Sequence, residues 1–439
     1  MSETLHLPSS WVINRLGDFV HYQKGKKPKS VVSSMSMSHN IPYVNIRAFE
    51  KGIVDEFTNG EGCVFCEDND FLMVWDGSRS GYVGRAIRGA LGSTLVKVSF
   101  PGVNLSYAYY FLQSKYLEIN SRAKGTGIPH VDPDLVWNYV FPLPPLAEQQ
   151  RIVAKIEELF SELDKAIETL KTAQVQLKVY RQAVLKYAFE GRLTNPDVKE
   201  GELPEGWKLK HLNEVTSKIT DGEHFKPKTT NSGIPFLSAK DVRENGVSFN
   251  SPLFISKETA EKALQRCNPK LGDILIVSRG ATVGRMCLVD TEKVFCLLGS
   301  VILLKVNDSV SNKFLLYFLK SASVNQKIIT VSGATAQQAI YLRDIKNIEV
   351  LLPNLDEQLN IVQEIESRLS VCDKIEESIE QGLQQAESLR QSILKKAFEG
   401  KLVPQDPNDE PASVLLDRIK AERAKVQPEK KSKKKKMEV

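Results

Sequence analysis

The chain has 439 residues, 41% hydrophobic and 26% charged, with a formal net charge of +5; it exceeds the ~250–300 residues at which a single core stops growing, so at least two domains are expected. Residues 425 to 439 hold seven lysines and two glutamates and account for all of that charge, so the body is neutral and overall basicity is no argument for a nucleic-acid partner. The longest apolar stretch, around CLLGSVILLKV at 296 to 306, falls far short of the ~20 residues of a membrane span, and the N-terminus shows no apolar signal core, which excludes a membrane role and points to the cytoplasm.

The first segment, 1 to 142, opens with LPSSW and carries IPYVN, then the strand-like run DFLMVW, then YVGRA, then a helix ending YFLQS. Between these landmarks lie loops with groups that suit nucleic acid. QKGKKPKS places Lys24, Lys26, Lys27 and Lys29 around a glycine and a proline, either a phosphate-binding loop or a solvated one. GSRSGYVGR offers Arg79, Ser80, Tyr82 and Arg85 beside glycines that permit close backbone approach, or a tight turn joining two strands. KGTGIPHV adds Thr126 and His130. Cys63-x-x-Cys66 has metal-like spacing but no second ligand pair, although His39 and His21 are available, so two ordinary thiols are the simpler reading and no metal is expected. Six cysteines without a dense framework fit a reducing compartment.

Residues 143 to 193 run from LPPLAEQQRIV to AFEGRL. Apolar positions Ile152, Ile156, Leu159, Leu163, Ala166, Leu170, Ala173, Leu177, Tyr180 and Val184 recur at alternating intervals of four and three, a sustained heptad seam. Gly191 supplies the left-handed residue that ends a helix. The spacing predicts a helix of roughly 43 residues, about 65 Å long at ~1.5 Å per residue. A polar linker at 194 to 202 follows.

Residues 203 to 351 repeat the plan of the first segment: LPEGW, IPFLS, DILIVS, TVGRM, YFLKS. The loop GEHFKPK, with His224, Lys226 and Lys228, takes the place of the earlier lysine loop; SRGATVGR gives Arg279 and Thr282; SGATAQQAI gives Thr335, Gln337 and Gln338, and a glutamine can read adenine through two hydrogen bonds. Residues 352 to 402, LPNLDEQLNIV to AFEGKL, then repeat the helix. At a fixed offset of 209, 23 of 51 positions are identical. The second seam is Ile361, Ile365, Arg368, Cys372, Ile375, Ile379, Gly382, Ala386, Leu389 and Ile393, with Leu369 and Leu383 beside its weak positions. Asn354 reads as a helix-starting residue; Pro145 stands at that place in the first copy and suits a first helical residue. Gly400 ends the second helix. Residues 403 to 439 close with the lysine-rich PEKKSKKKK, a solubilising disordered end or a nonspecific phosphate-binding arm.

Each helix needs a partner for its seam, and its own repeat is the obvious one. If the helices ran parallel, the connection RLTNPDVKEGELPEG, which reaches only about 50 Å at ~3.3 Å per residue, would have to return about 65 Å. Antiparallel pairing removes the difficulty and implies an internal pseudo-twofold axis. The fold class expected is therefore α+β, with two mixed domains joined by two long antiparallel coiled-coil helices.

This order, with domain, LPPLAEQQRIV to AFEGRL, domain, and the same helix again, resembles the specificity subunit of type I restriction–modification systems. The resemblance implies that 1 to 142 and 203 to 351 are target recognition domains, each reading one half of a split double-stranded DNA site. It implies that the helices set the separation of the halves and dock two modification subunits, which carry S-adenosylmethionine and methylate adenine. Restriction subunits, working with ATP and Mg, complete the assembly. Glu148, Gln149, Arg151, Glu357 and Gln358, near the helix starts, are candidate docking positions beside the plainer reading of a solvated face. The chain has no G-x-x-x-x-G-K-[ST], no G-x-G-x-x-G after a strand and no Asn-Pro-Pro-Tyr type motif, so it is expected to be non-catalytic and to hold no cofactor itself. A coiled-coil adaptor with protein-binding end domains is the alternative; a fused enzyme would need segments that the duplicated plan leaves no room for.

Overall fold

The computed structural model describes residues 7–68, 70–331 and 339–426. The chain divides into two compact units, residues 1–169 with 382–439 and residues 170–381, so that each long helix contributes one half to each unit. The long helices are Leu146–Phe189 and Leu355–Phe398, 44 residues each. Both end as expected: Gly191 and Gly400 have φ of 75° and 70°, and the next residue's N–H reaches back to the carbonyl five residues earlier, Arg192 to Tyr187 and Lys401 to Lys396, both at 2.9 Å. The Asn354 side chain accepts the Glu357 N–H at 2.9 Å, which caps the second helix. Pro145 occupies the equivalent capping place and the first helix begins one residue later, at Leu146.

Within each unit the helix halves run antiparallel. The first unit buries Ile152 and Ile156 together with Ile393, Leu394 and Ala397; the second buries Val184, Leu185 and Ala188 with Ile361, Val362 and Ile365. Arg390–Asp164 in one and Arg181–Asp373 in the other are the same ion pair in the two repeats. The strict heptad seam is not held throughout. Ala166, Tyr180, Ile375 and Leu389 are exposed, because a straight helix drifts about 20° per heptad from a 3.5-residue repeat. Near their ends the helices bury a wider stripe, including Val153, Phe160 and Phe189, because a mixed α/β domain packs on them there too. Phe398 sits with ring centroids 5.3 Å from both Tyr107 and Phe111, and Phe189 lies 5.4 Å from both Phe314 and Phe318. The repeated Phe-Glu-Gly thus plugs a helix end into its domain and then stops the helix.

The domains share a scaffold. A two-stranded ribbon joins the entry and exit strands, Val12–Arg15 with Val140–Leu143 in one and Lys208–His211 with Glu349–Leu352 in the other. A four-stranded antiparallel sheet follows in the same spatial order: His21–Lys24, Leu95–Ser99, Phe71–Val74, Val83–Arg85 in the first unit; Thr216–Asp221, Val301–Val306, Ile274–Val277, Met286–Leu288 in the second. Phe71–Val74 and Ile274–Val277 are buried at every position, as continuous apolar runs in a central strand should be. A helix packs on each sheet, and here one landmark needs correction: the YFLQS helix runs on to Ser121, whereas its counterpart stops at Lys320 because Ser321 is extended, and restarts at Ala322.

A second correction concerns the landmarks YVGRA and TVGRM, which are not equivalent. Gly81 and Gly284 both donate their N–H back to the sheet strand, to the Val74 and Val277 carbonyls at 2.8 and 3.0 Å. Both have positive φ, and a Cβ on either would meet an isoleucine of the packing helix, Ile119 or Ile329. The structural match therefore pairs Tyr82 with Arg285, Arg79 with Thr282 and Asp76 with Arg279.

The C-terminal segment holds a helix the sequence reading did not foresee, Ala412–Val426. Leu415 and Ile419 join the core of the first unit, and the Arg423 guanidinium donates to the Gly17 and Val20 carbonyls. The lysine-rich stretch beyond it lies outside the described residues.

Candidate nucleic-acid interface

In each unit three loops meet at one end of the four-stranded sheet. They are the loop after the first sheet strand, the turn after the central strand, and the segment leading to the exit strand. In the first unit the Gly77 N–H donates to the Pro129 carbonyl at 2.7 Å, Asp76 bridges to His130, and Lys24 pairs with Asp76 at 2.8 Å. In the second, the first loop and the turn are joined through the segment before Val301–Val306, where Glu223 bridges to Leu298 and the Ser278 N–H donates to the Ser300 carbonyl at 2.9 Å, and Arg279 on the turn bridges to Ala339.

The structure sorts the expected residues by what their side chains are doing. Lys26 and Lys27 are exposed with no side-chain partner among the described residues, as are Lys226, Lys228 and Arg279. Thr126 is exposed and His130 half-buried in the same loop. Lys24 and Lys29 are engaged with Asp76 and Glu61; such exposed pairs are worth little and open readily to a phosphate. The Arg79 guanidinium lies 4.0 Å from the Tyr82 ring centroid and 3.1 Å from Glu50, which makes both residues part of a local cluster. His224 is held by Arg266, which also pairs with Asp221. Thr282 is half-buried on the turn. Thr335, Gln337 and Gln338 lie outside the described residues.

Two expected contacts are placed elsewhere. Ser80 is fully buried, its hydroxyl within bonding distance of the Gly77 and Pro129 carbonyls, so it fixes the turn and is not open to a ligand. Arg85 pairs across to Phe71, at the strand end remote from the turn, where it bonds Ser106 at 3.0 Å. Sequence spacing could not separate these, because the six residues from Ser80 to Arg85 pass from the turn to the far end of a strand.

The docking expectation is also corrected for three residues. Glu148, Gln149 and Gln358 are buried to within 1%. Gln149 accepts the Asn104 N–H at 2.8 Å and donates to the Pro144 carbonyl at 2.9 Å; Gln358 does the same with Ser311 at 2.8 Å and Pro353 at 3.0 Å. Asn104 and Ser311 are the N-caps of the domain helices, so the repeated glutamine ties helix start to helix start. Glu148 accepts the Trp11 indole N–H at 3.0 Å and the Gln405 amide at 2.6 Å, and burial pushes its carboxyl pKa up. Arg151 pairs with Asp409 through both terminal nitrogens, and Glu357 accepts from Asn195 at 2.8 Å. These residues fasten the chain to itself.

Burial raises the thiol pKa values of Cys66, Cys267, Cys287 and Cys296, to about 11, 12, 12 and 11. Among the described residues no group of His, Cys, Asp and Glu is arranged to hold a metal ion, and no helix is long and apolar enough to cross a membrane.

Comparison with known proteins agrees with this organisation. The family model described as type I restriction modification DNA specificity domain matches twice, over residues 8–176 and 204–385. The MjaVIII specificity subunit of Methanocaldococcus jannaschii is 29% identical over 415 residues, covering 91% of this chain and 94% of that one. The EcoKI specificity subunit of Escherichia coli is 30% identical over 332 residues, covering 72% and 71%. In fold, the chain is similar to one solved in work on assembly and conformational transition of the type I R-M system, with a TM-score of 0.70 at 23% identity over 90% of this chain and 99% of that one. It is also similar to the HsdS subunit from Thermoanaerobacter tengcongensis, with a TM-score of 0.53 at 23% identity over 90% and 98%. The duplicated match covers most of the sequence, and the chain belongs to the family of DNA specificity subunits of type I restriction–modification systems.

Proposed function

We propose that each recognition domain reads one half of a bipartite double-stranded DNA site through the three loops at its sheet end, while the paired helices set the separation of the halves. The observation that carries this is the pairing of a common scaffold with different loop chemistry: Asp76 neutralises Lys24 in the first unit, whereas Arg279, the counterpart of Asp76, has no side-chain partner among the described residues. Loops on a rigid frame are where recognition diverges. Lys26, Lys27, Lys226 and Lys228 would position phosphates, and Arg279, with Gln337 and Gln338, would read base edges.

The chain itself is non-catalytic in this reading and acts in the cytoplasm. Two modification subunits would bring S-adenosylmethionine and methylate adenine; restriction subunits would bring ATP and Mg. A surface groove supports two copies of one partner, because it recurs in both units with the same side chains: Tyr110, Glu157, Asp164 and Arg390 in one, Tyr317, Glu366, Asp373 and Arg181 in the other. It replaces the buried helix-start residues as the proposed docking surface.

The test is genome-wide adenine methylation mapped by single-molecule sequencing in cells carrying the chain and its modification subunit. A split motif is expected, and exchanging residues 1–142 for a homologous domain should change one half only. A well-formed complex without methylation would favour the adaptor.

A further inference from the structure

The loop after the first sheet strand has the same anchor in both units and a different tip. At Gly25 a Cβ would fall 2.2 Å from the Gly92 carbonyl oxygen, and at Gly222 it would fall 2.1 Å from that of Leu297, closer than any side chain tolerates. From each glycine the chain leads to a Lys-Pro-Lys triplet, Lys27-Pro28-Lys29 or Lys226-Pro227-Lys228. Only Lys26 intervenes in the first unit; Glu223, His224 and Phe225 intervene in the second.

The longer tip is held in place. The Glu223 N–H donates to the Leu297 carbonyl at 2.8 Å, and the Glu223 carbonyl accepts from Gly299 at 2.7 Å. Arg266 grips Asp221 and His224. Beyond these ties Phe225 is 88% exposed, between His224 and a Lys226 with no partner among the described residues. A phenyl ring left in water forgoes the apolar burial that drives folding. A fixed loop that presents one beside ammonium groups unpaired among the described residues matches a surface offering phosphates and an apolar edge together, and the major groove offers that edge as the thymine C5-methyl group.

We propose that Phe225 is a base-reading residue of the second recognition domain: Lys226 and Lys228 bind phosphates of the half-site, and the ring packs on the C5-methyl of one thymine. This rests on the reading of the chain as a DNA reader. The first domain has no aromatic residue at its loop tip, so the contact belongs to one half-site only.

The test is a double substitution in protein and DNA, using the complex with the modification subunit and a duplex carrying the mapped site. Each thymine is replaced in turn by uracil, which removes only the methyl group, and binding is measured for wild type and Phe225→Ala. At one thymine of the second half-site, uracil should weaken wild-type binding about fourfold, the equivalent of ~0.8 kcal/mol for one buried methylene-sized group, and leave the variant unchanged. The variant should melt at the wild-type temperature, since its ring is exposed. Additive effects at every thymine, or a second half-site without an A·T pair, would overturn the assignment. A wild-type complex that binds the mapped duplex no better than unrelated DNA would overturn the DNA-reading proposal, and this assignment with it.

Discussion

Replacing Phe398 by alanine removes the plug that joins the second long helix to the first recognition domain. The ring is 7% exposed and makes edge contacts with Tyr107 and Phe111 at 5.3 Å, inside a core that includes Phe141 and Leu394. Truncating a buried phenylalanine costs ~3–5 kcal/mol, the transfer of the ring plus the cavity it leaves. Relaxation is limited, because Ala397 and Leu394 are fixed by the helix and Tyr107 is held by its hydroxyl bond to the Pro142 carbonyl at 2.9 Å. In a unit of roughly 230 residues, where ~1 kcal/mol moves the melting temperature by ~2–4 °C, the first unit should melt ~8–16 °C lower for a loss of about 4 kcal/mol. Hydrogen exchange resolves the two units: amides of Leu105–Ser121 should lose protection while those of Ile274–Val277 keep theirs. A loss below ~1 kcal/mol, or equal loss in both units, would refute the reading of the repeated Phe-Glu-Gly as a local plug.

Gly222→Ala, whose Cβ cannot fit beside the Leu297 carbonyl, should displace the loop tip and relax selection of the second half-site in a methylation map while leaving the first half intact. Arg279→Ala should cost roughly 1–3 kcal/mol at one base pair, and Lys26→Ala should weaken all sequences alike and lower the salt slope by about 1, both read by binding titrations at several salt concentrations. Arg151→Ala releases Asp409 and should speed proteolysis between residues 403 and 411, with a stability loss of about 1 kcal/mol because the pair is partly solvated. The buried thiols of Cys267 and Cys287, raised to about 12 by burial, keep their protons in the folded chain while the unfolded chain loses them above ~8.5, so stability should fall as pH rises past that value; thermal melts at pH 8 and 10 would show it, and alkylation of Cys267 or Cys287 before unfolding would contradict it.

The sequence by itself determined the duplication, the two long helices, their glycine stops and their antiparallel sense, because heptad spacing, left-handed glycines and connection length are local or one-dimensional quantities. It also located one central strand of each four-stranded sheet, since Phe71–Val74 and Ile274–Val277 are unbroken apolar runs; the strands around them were not legible. Only the tertiary structure decided what the identical residues are for. Glu148, Gln149 and Gln358 look like a repeated polar face in one dimension, yet each is buried by an element distant in sequence. Which charges are free was decided there too: Asp76 and Arg279 hold equivalent positions, yet Asp76 is paired with Lys24, whereas Arg279 has no side-chain partner among the described residues. The exposure of Phe225 is of the same sort. A side chain's availability depends on every element packed around it, and that sum is fixed only when the chain has folded.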